Sequence, residues 1–574
     1  MMHTAVVSYV AAIPLFFVPR VSAVQWFFSA LDVLAVAWLF HALHRAVGRR
    51  AAVVGALLYA THPWVIEYMR WIWQPTHSAT FSAVACGAFL LLLAPGEARR
   101  PRVLALGLFA ATLMGLVHLA AAPWTVALFA LGLGLAWRRG MWRGFAWGFG
   151  LSVLAALPYV SYQVQTGFGD LHLAASSGGD AAIFNWAAPR LCWELVTGLQ
   201  VLSTPRNPLW AESIPHLPGA YAIIPAMLAP ALLTGLIHLA RRSPRSAQWL
   251  FLIAWTVSVP AFFLRTSVHL QHYYFLFLFP APLLLIALWM EDALAAPRQL
   301  HRVMGGVGLI ALLILSAWWA GIWGIRIRLH HAEAIGAPTR GWRMDRTAAQ
   351  IEAYLREHED TQVLVLNDFS GHLSPFDWMR NLLRTDRVRA IPTAEGLLIP
   401  SGASCYLLGP GASEAHLAPI AARATFRPEL TIPAPTPWRF ACLDARPALP
   451  APLATWQNGL SLRHTAVEGD FAPGGALRLT HIWHYREVVP GDYHLFNHLM
   501  WEDKLVAQVD GTGVPTWYWR DDDVLLTYFT LWLPETLEPG EYRLLLGSYT
   551  WPALERMLLE DGHDAYEIAQ WTIE

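Results

Sequence analysis

Two stretches of the sequence combine arginine, histidine and aromatic residues in a pattern that suits binding of a phosphate or pyrophosphate group. They are EYMRWIWQP at residues 67–75 and RTSVHLQHYY at residues 265–274. A guanidinium group binds two phosphate oxygens at once, and histidine adds a donor or carries a proton. We therefore predict a site for an anionic head group, with Arg70, His269, His272, Tyr273 and Arg265 on the phosphate and Glu67, Trp73 and Gln74 lining the substrate pocket.

Structural roles are open for the same residues. Arg70 and Arg265 would also mark the ends of membrane spans or reach lipid phosphates. His269 and His272 share a face if they are helical, which fits a metal-binding pair or an ordinary hydrogen-bonded pair. The chain has no Walker loop, Rossmann fingerprint, zinc-protease motif or nucleophile elbow, so we assign no catalytic residue and predict no metal or cofactor.

Four further features have both a functional and a structural interpretation. Asp32 lies deep within a predicted span, where an ionisable residue is either functional or hydrogen-bonded within the bundle. Residues 521–523 are three aspartates, which fit a solvated turn better than a calcium site. Residues 517–519 (WYW) form either a sugar-stacking platform or part of a β core. Cys405 and Cys442 fall in predicted strands and are able to form a disulfide in an oxidising compartment.

The elements that must position the predicted site are membrane spans. Of 574 residues, 55% are hydrophobic and 14% charged, which excludes a disordered chain, a nucleic-acid-binding arm and an ordinary soluble enzyme. Apolar runs of membrane length recur as far as Trp323. We predict about ten spans, at residues 22–44, 51–68, 77–94, 103–118, 122–137, 144–160, 219–240, 248–264, 272–290 and 303–324.

Arginine placement predicts the orientation of these spans. Residues 1–325 hold 19 arginines, of which 14 lie in the connections 45–50, 95–102, 138–143, 241–247 and 291–302. Short arginine-rich loops stay in the cytoplasm. Both polar stretches therefore lie on the opposite face of the cytoplasmic membrane, and everything after the last span is extracytoplasmic. Residues 3–18 are apolar but short, which fits a short span, a signal-like segment or an interfacial helix.

The sequence changes character after the last span, where residues 326–574 carry 21 basic and 32 acidic residues. We predict a linker at 326–346, a small α/β domain at 347–450 in which helical and strand patterns alternate, and an antiparallel β-sandwich at 455–574. The predicted fold class is thus an α-helical polytopic membrane bundle (domain 1–325) with an extracytoplasmic small α/β domain and a C-terminal antiparallel β-sandwich.

Residues 14–74, which include HRAVGRRAAVVGALLYATHPWVIEYMRWIWQP, and HYYFLFLFPAP at 272–282 resemble polytopic C-type glycosyltransferases of family 39. This group contains protein mannosyltransferases and aminoarabinose transferases. The sandwich motifs DYHLFNHL and PGEYRLLLGSY are similar to modules appended to bacterial members. The resemblance implies transfer of a sugar from a polyprenyl-phosphate donor to an extracytoplasmic glycan, lipid or protein acceptor. It also implies that the protein resides in a lipid bilayer and does not bind nucleic acid.

The resemblance also implies roles for individual residues. Arg70 matches the arginine of the family's Y-x-R segment, whereas Glu67 matches no family acid. The family's first span and first outer loop, which carries its catalytic acid, have no counterpart in this sequence, and residues 3–18 align with the helix that follows that loop. The alternative function is therefore a non-catalytic, membrane-anchored scaffold that binds glycan; a transporter is a weaker third, because no inverted repeat is visible.

Overall fold

The structure is a computed structural model that forms two compact units, which divide between residues 331 and 342. Each unit is considered by itself. The structure describes residues 6–69, 74–96, 100–165, 167–168, 184–198, 219–266, 270–329, 341–367, 387–392, 396–408, 424–430, 439–487 and 491–573.

The first unit is a bundle of apolar helices. Short 3-10 segments at Gln74–His77, Leu119–Ala121 and His272–Leu278 connect some of them. The helices in the described part are α1 (Val6–Phe17), α2 (Val21–Ala46), α3 (Arg49–Thr61), α4 (Pro63–Met69), α5 (Ser78–Leu92), α6 (Pro101–Val117), α7 (Ala122–Arg139), α8 (Trp142–Gln165), α9 (Ala187–Thr197), α10 (Ala220–Ala240), α11 (Ser246–Phe262), α12 (Ala281–Ala295) and α13 (Gln299–Leu329).

This unit makes the chain a multi-pass membrane protein. Within the described residues, seven helical segments are long and apolar enough to cross a membrane, and α6 and α11 are apolar but shorter. The seven are Ser22–Ala46, Pro75–Leu92, Leu119–Arg139, Trp142–Gln165, Ala220–Ala240, His272–Ala295 and Gln299–Ile322. The short apolar segment at the start forms α1, which packs on α2 through Val7, Ala11, Val24 and Phe28.

Two predicted spans differ from the helices that the structure describes. The span predicted at 51–68 is broken, because α3 ends at Thr61 and α4 begins at Pro63. Proline lacks an N–H group and disfavours helical geometry in the residue before it, and His62 is accordingly extended at φ −62° and ψ 126°. The span predicted at 272–290 begins as the 3-10 segment His272–Leu278 and continues as α12.

Small residues bring α6 and α8 close together. A Cβ atom on Gly144 would lie 2.3 Å from the carbonyl oxygen of Pro101, and one on Gly148 would lie 3.0 Å from the Cα atom of Ala105. Glycines one turn apart are a common device for close helix contact in membranes. This contact sets the position of α6, whose far end leads into His118 and the turn before α7.

The second unit begins with α14 (Gly341–Glu357) and a mixed five-stranded sheet of order β2-β1-β4-β6-β5. Strand β1 pairs in parallel with β2 and β4, whereas β6 pairs antiparallel with β4 and β5. Cys405 of β4 lies directly opposite Cys442 of β6, and the two form a disulfide. The strands are β1 (Gln362–Asn367), β2 (Val388–Pro392), β4 (Ser404–Leu408), β5 (Thr425–Phe426) and β6 (Arg439–Leu443).

Two further sheets pack as an antiparallel sandwich, with orders β3-β12-β9-β8-β7 and β11-β10-β13-β14. Buried side chains of both sheets form one core, in which the rings of Trp456 and Trp483 lie 5.3 Å apart. The strands are β3 (Gly396–Ile399), β7 (Ala454–Thr455), β8 (Leu460–Glu468), β9 (Ala476–Tyr485), β10 (Tyr493–Trp501), β11 (Lys504–Gly511), β12 (Val524–Trp532), β13 (Gly540–Thr550) and β14 (Tyr566–Ile573).

The predicted fold class, a helical membrane bundle followed by an α/β part and a β-sandwich, is confirmed. The details of the predicted boundaries differ. Helix α13 extends to Leu329 and α14 begins at Gly341, so both helices enter the predicted linker 326–346. Strand β3 lies in the predicted α/β domain but pairs with β12 of the sandwich, so residues 347–450 and 455–574 share a sheet.

Asp521 and Asp522 lie in the predicted turn, in which Asp521 is exposed, but the third aspartate is buried. Asp523 is only 4% exposed and pairs with Arg389, while Asp522 contacts His484 and Arg446. The aromatic run at 517–519 is divided: Trp519 is buried in the core, whereas Trp517 is 70% exposed.

Candidate functional site

The candidate site lies at the end of the bundle opposite the arginine-rich connections, which we call the distal end. Here α4 ends, α5 begins and the segment His272–Leu278 begins. The 3-10 segments Gln74–His77 and His272–Leu278 pack against each other, and α9 packs against the second of them. The elements that follow or contain the two predicted polar stretches therefore meet.

Helix α9, which neither polar stretch contains, is held firmly against these elements. The His62 ring nitrogen Nε2 lies 3.2 Å from the backbone oxygen of Val196, and the indole of Trp64 donates a 3.2 Å hydrogen bond to the backbone oxygen of Glu194. Just before α9, the backbone N–H of Asn185 donates to the backbone oxygen of Leu264 at 2.7 Å. The break between α3 and α4 thus supplies both side chains that hold the C-terminal half of α9.

The central contact of the site joins Glu194 of α9 to His272. The imidazole Nε2 lies 2.9 Å from the carboxylate Oε2, and both side chains are largely buried, at 14% and 10% exposed. The indole of Trp64 stacks on the imidazole, with ring centres 4.4 Å apart and planes inclined by 24°. Arg190, one helical turn before Glu194, approaches the same carboxylate at 3.8 Å from the outside.

A second aromatic group lies next to His272 along the chain. The rings of Tyr273 and Tyr274 stack at 4.8 Å, and the ring of His118 meets both edge-on at 6.0 and 5.2 Å. His118 is extended and begins the turn between α6 and α7, which places the distal end of α6 beside Tyr273. Tyr273 is half-buried, so its hydroxyl is positioned at the edge of the bundle rather than in its core.

A buried polar layer lies below these residues. His77 is 1% exposed and stacks on Phe28 of α2 at 3.9 Å, and neither of its ring nitrogens has a hydrogen-bond partner among the described residues. Three residues further along, Thr80 donates a 2.6 Å hydrogen bond to Asp32. This hydrogen bond therefore joins Asp32, which the sequence analysis selected as a candidate, to the first turn of α5.

The predicted site residues fall into three groups. Arg265, His272 and Tyr273 are described: Arg265 is exposed and its backbone forms an antiparallel bridge with Phe184. Glu67 lies in α4 and Gln74 begins a 3-10 segment, but their side chains lie outside the described residues. Arg70, Trp73 and His269 also lie outside the described residues, so their part in the site stays a prediction.

Sequence reasoning missed the partners of His272. Glu194 was visible as one of nine acidic residues in the first 325, in a helical pattern with Arg190 four positions earlier. Trp64 follows the His62–Pro63 pair at which the helix breaks, and we predicted no role for it from the sequence. In the described part of the chain, no group of three or more His, Cys, Asp or Glu residues is arranged to hold a metal ion, and His272 pairs with a carboxylate.

The arrangement has the chemistry for acid–base work beside an anionic ligand. An imidazole held by a carboxylate has one nitrogen committed and the other able to exchange a proton. Exposed Arg265 and the hydroxyl of Tyr273 belong to the same stretch of chain and are suited to phosphate oxygens. The tryptophan stack and the three anchors of α9 fix the ring before a substrate arrives.

No family model matches this chain, and no curated protein matches it. Among solved structures, it is similar to ArnT from Cupriavidus metallidurans bound to undecaprenyl phosphate, with 12% identity, TM-score 0.46, and coverage of 78% of this chain and 89% of that chain. The apo state of ArnT gives 13% identity and TM-score 0.44 with the same coverage.

The arabinofuranosyltransferase AftD from Mycobacteria gives 12% identity and TM-score 0.41, over 93% of this chain and 55% of that chain. This chain thus matches about half of the length of the AftD chain.

Proposed function

We propose that this protein is a membrane glycosyltransferase that moves a sugar from a polyprenyl-phosphate donor to an acceptor on the extracytoplasmic side of the cytoplasmic membrane. The observation that supports the proposal is that the segments Gln74–His77 and His272–Leu278 pack against each other and α9 packs against the second, where Glu194 holds His272. Both segments contain residues of the stretches that were selected from the sequence for phosphate chemistry.

Donor binding is assigned to cationic and hydroxyl groups of these stretches. Arg70, Arg265, His269, His272 and Tyr273 provide donors for the lipid phosphate, and Glu67, Trp73 and Gln74 line the sugar pocket. The negative charge that develops on the leaving phosphate is stabilised by fixed donors in a site of low dielectric constant.

The test uses the full-length protein in nanodiscs with radiolabelled polyprenyl-phosphate mannose, arabinose and aminoarabinose, and a cell-envelope extract as the acceptor. We expect transfer of at least one sugar, inhibited by free undecaprenyl phosphate. We expect Arg265→Gln to weaken inhibition by undecaprenyl phosphate, while Arg20→Gln, which removes an exposed arginine at the start of α2, has no effect. Absence of both transfer and undecaprenyl phosphate binding by the wild-type protein would refute the proposal.

One observation favours the alternative of glycan binding without catalysis. Trp517 is 70% exposed, and its ring lies 5.9 Å from that of Tyr518 at an angle of 45°. An exposed indole supported by a half-buried aromatic ring offers an apolar face to a sugar ring. If this is the main function, the full-length protein binds envelope glycans without turnover, and Trp517→Ala abolishes that binding.

A further inference from the structure

The sheet β11-β10-β13-β14 of the second unit has an outer face that carries polar and aromatic side chains. Side chains along a strand alternate between the two faces of a sheet. In β10, Leu495 belongs to the core of the sandwich, so its neighbours His494 and Phe496 lie on the outer face. Their cross-strand partners share that face: Asp510 of β11 is opposite Phe496, and Tyr549 of β13 is opposite His494.

Five side chains on this face form a continuous polar network. The Tyr549 hydroxyl donates to Oδ2 of Asp510 at 3.3 Å, and Nε2 of His498 lies 3.4 Å from Oδ1 of the same carboxylate. Arg556 donates to Nδ1 of His498 at 3.4 Å and to the carboxylate of Asp564 at 2.5 Å. The network joins three strands to the connection between β13 and β14, so its side chains are held in position before a ligand arrives.

Gly547 of β13 allows Arg556 to reach across the sheet. A Cβ atom at this position would lie 2.2 Å from the ring of Phe496, so the glycine leaves space for that ring on the outer face. Arg556 forms an antiparallel bridge with Tyr549, and its guanidinium carbon lies 4.8 Å from the centre of the Phe496 ring. Phe496 is therefore only 1% exposed although it points away from the core, and it supports the guanidinium group.

Trp551 directly follows β13 and lies beside the network. Its backbone N–H donates a 2.8 Å hydrogen bond to the backbone oxygen of Asp492, and its indole stacks on His494 with ring centres 5.1 Å apart and planes inclined by 24°. The ring of His494 in turn lies 5.5 Å from that of Tyr549, which reaches Asp510. Trp551 is nevertheless 49% exposed, so the side of the indole away from His494 is open to a ligand.

These groups have the chemistry that recognition of a sugar requires. The C–H groups on one face of a sugar ring are apolar and pack against an aromatic ring. The hydroxyl groups need acceptors and donors close together, and a carboxylate accepts about four hydrogen bonds. Asp510 has two partners in the network and keeps 23% of its side chain exposed, while Arg556 is 43% exposed and has further N–H groups.

We propose that this outer face is a binding site for a neutral saccharide. Trp551 stacks on one sugar ring, and Asp510 and Arg556 bind hydroxyl groups along the face. Charge favours the neutral class, because the network holds two carboxylates, Asp510 and Asp564, and one guanidinium, and would repel a ligand that carries carboxylate or phosphate groups. The site is separate from Trp517, which lies between β11 and β12, and the inference does not require that the protein transfers a sugar.

The experiment measures binding of fluorescently labelled mannotriose, cellotriose and arabinotriose to the full-length protein in nanodiscs, with trigalacturonate as the anionic probe. We expect at least one neutral trisaccharide to bind, and to bind more tightly than trigalacturonate. Trp551→Ala should weaken this binding about tenfold, because the sugar loses its stacking partner. Asp510→Asn should weaken it about fivefold, because hydrogen bonds to a charged acceptor are stronger than those to a neutral one.

Each variant has a matched control elsewhere on the second unit. Trp532→Ala removes a 70% exposed tryptophan at the end of β12, and Asp503→Asn removes an exposed carboxylate in the turn between β10 and β11. Neither should change the affinity. Thermal unfolding verifies that every variant is folded, and Trp551→Ala tests the site even if Asp510→Asn unfolds, because the indole is half exposed.

Four results would overturn the assignment. They are no binding of any neutral trisaccharide by the wild-type protein, tighter binding of trigalacturonate, wild-type affinity in folded Trp551→Ala, and equal losses in Trp551→Ala and Trp532→Ala. Loss of binding in Trp517→Ala with unchanged binding in Trp551→Ala would place the glycan at Trp517 instead. Sugar transfer is measured in separate samples, so its absence would refute the proposed function and leave the saccharide site intact.

Discussion

Thr80 of α5 donates a 2.6 Å hydrogen bond to the carboxylate of Asp32 in α2, and both residues are buried within the membrane bundle. Phe28, one turn before Asp32 in α2, stacks on His77, which directly precedes α5. A carboxylate without a partner is costly inside a bilayer, so this contact satisfies it and fixes α2 against the start of α5. The segment that leads to the distal end is held by that pair.

We expect Thr80→Val to lower the free energy of unfolding of the membrane unit by about 1 kcal/mol, because Asp32 loses its donor. Asp32→Asn retains an acceptor and should have a smaller effect than Asp32→Ala. Thermal unfolding in detergent measures these differences. Thr256→Val is the matched control, since the buried hydroxyl of Thr256 has no partner among the described residues. Equal effects of the two threonine substitutions would show that the contact with Asp32 contributes nothing.

A second prediction concerns the buried ion pair between Arg389 of β2 and Asp523, each of which is 4% exposed. Burial raises the pKa of Asp523, and the hydrogen bond and charge of Arg389 act against that rise. Removing one partner leaves an uncompensated buried charge, so Arg389→Met should cost roughly 3–5 kcal/mol. The double variant Arg389→Met/Asp523→Leu should recover most of that loss.

Proteolysis of the full-length protein in urea measures the stability of the second unit. The control is the exposed pair of Arg543 and Asp503, whose side chains are 39% and 104% exposed, and Arg543→Met should change stability by less than about 1 kcal/mol. If the double variant is no more stable than Arg389→Met, desolvation is not the source of the cost.

The sequence predicted the membrane elements well because hydrophobic length is a local property. The antiparallel β-sandwich was also predicted, since alternating apolar side chains between turn residues are typical of half-buried strands. Pairing between distant segments was not visible. Strand β3 is four buried residues inside an α/β pattern, and only its partner β12 assigns it to the sandwich.

The site was predicted in part for the same reason. His272 and Tyr273 were selected because they stand in a polar stretch at the start of a span. Glu194 lies 78 positions away, and no periodicity relates it to His272. The solvated turn predicted at 521–523 describes Asp521 but not Asp523, because Arg389, 134 positions earlier, pairs with Asp523 inside the fold.

A third prediction concerns His481, which is buried between Thr465 and Asn497 and links the two sheets of the sandwich. Burial lowers its pKa from 6.5 to about 4, although the hydrogen bond with Asn497 acts in the opposite direction. The unfolded chain therefore binds more protons between these pH values. The stability that His481 contributes is fully present above pH 6.5 and is lost as pH falls through 4.

The expected loss is roughly 3 kcal/mol over that range. Urea-dependent proteolysis of the full-length protein at several pH values measures it for the second unit. His481→Gln should flatten the dependence, whereas His563→Gln, at an exposed histidine, should retain it. If the free energy of unfolding changes with pH by the same amount in the wild type and in His481→Gln, the acid sensitivity is due to other groups.

A fourth prediction concerns the side of the membrane on which the second unit folds. Cys405 and Cys442 are bonded, and Cys86 and Cys192 are free and buried. Disulfides persist in oxidising compartments, which agrees with the extracytoplasmic position predicted from the arginines. Protein denatured without reductant should therefore react with two equivalents of a maleimide and with four after reduction. Four reactive thiols before reduction in protein from intact cells would contradict the extracytoplasmic assignment.

The last prediction concerns Arg70, which the sequence resemblance assigns to the donor phosphate and which lies outside the described residues. Arg70→Ala should abolish sugar transfer and lower the affinity for undecaprenyl phosphate, because an uncharged side chain cannot offset the phosphate charge. Arg70→Lys should restore part of the affinity, since a point charge is retained without the two-pronged geometry. Arg20→Ala, which removes an exposed arginine at the start of α2, controls for loss of surface charge, and normal membrane insertion of each variant is verified first. Wild-type transfer by Arg70→Ala would remove Arg70 from the mechanism and leave Arg265, His269, His272 and Tyr273 to bind the phosphate.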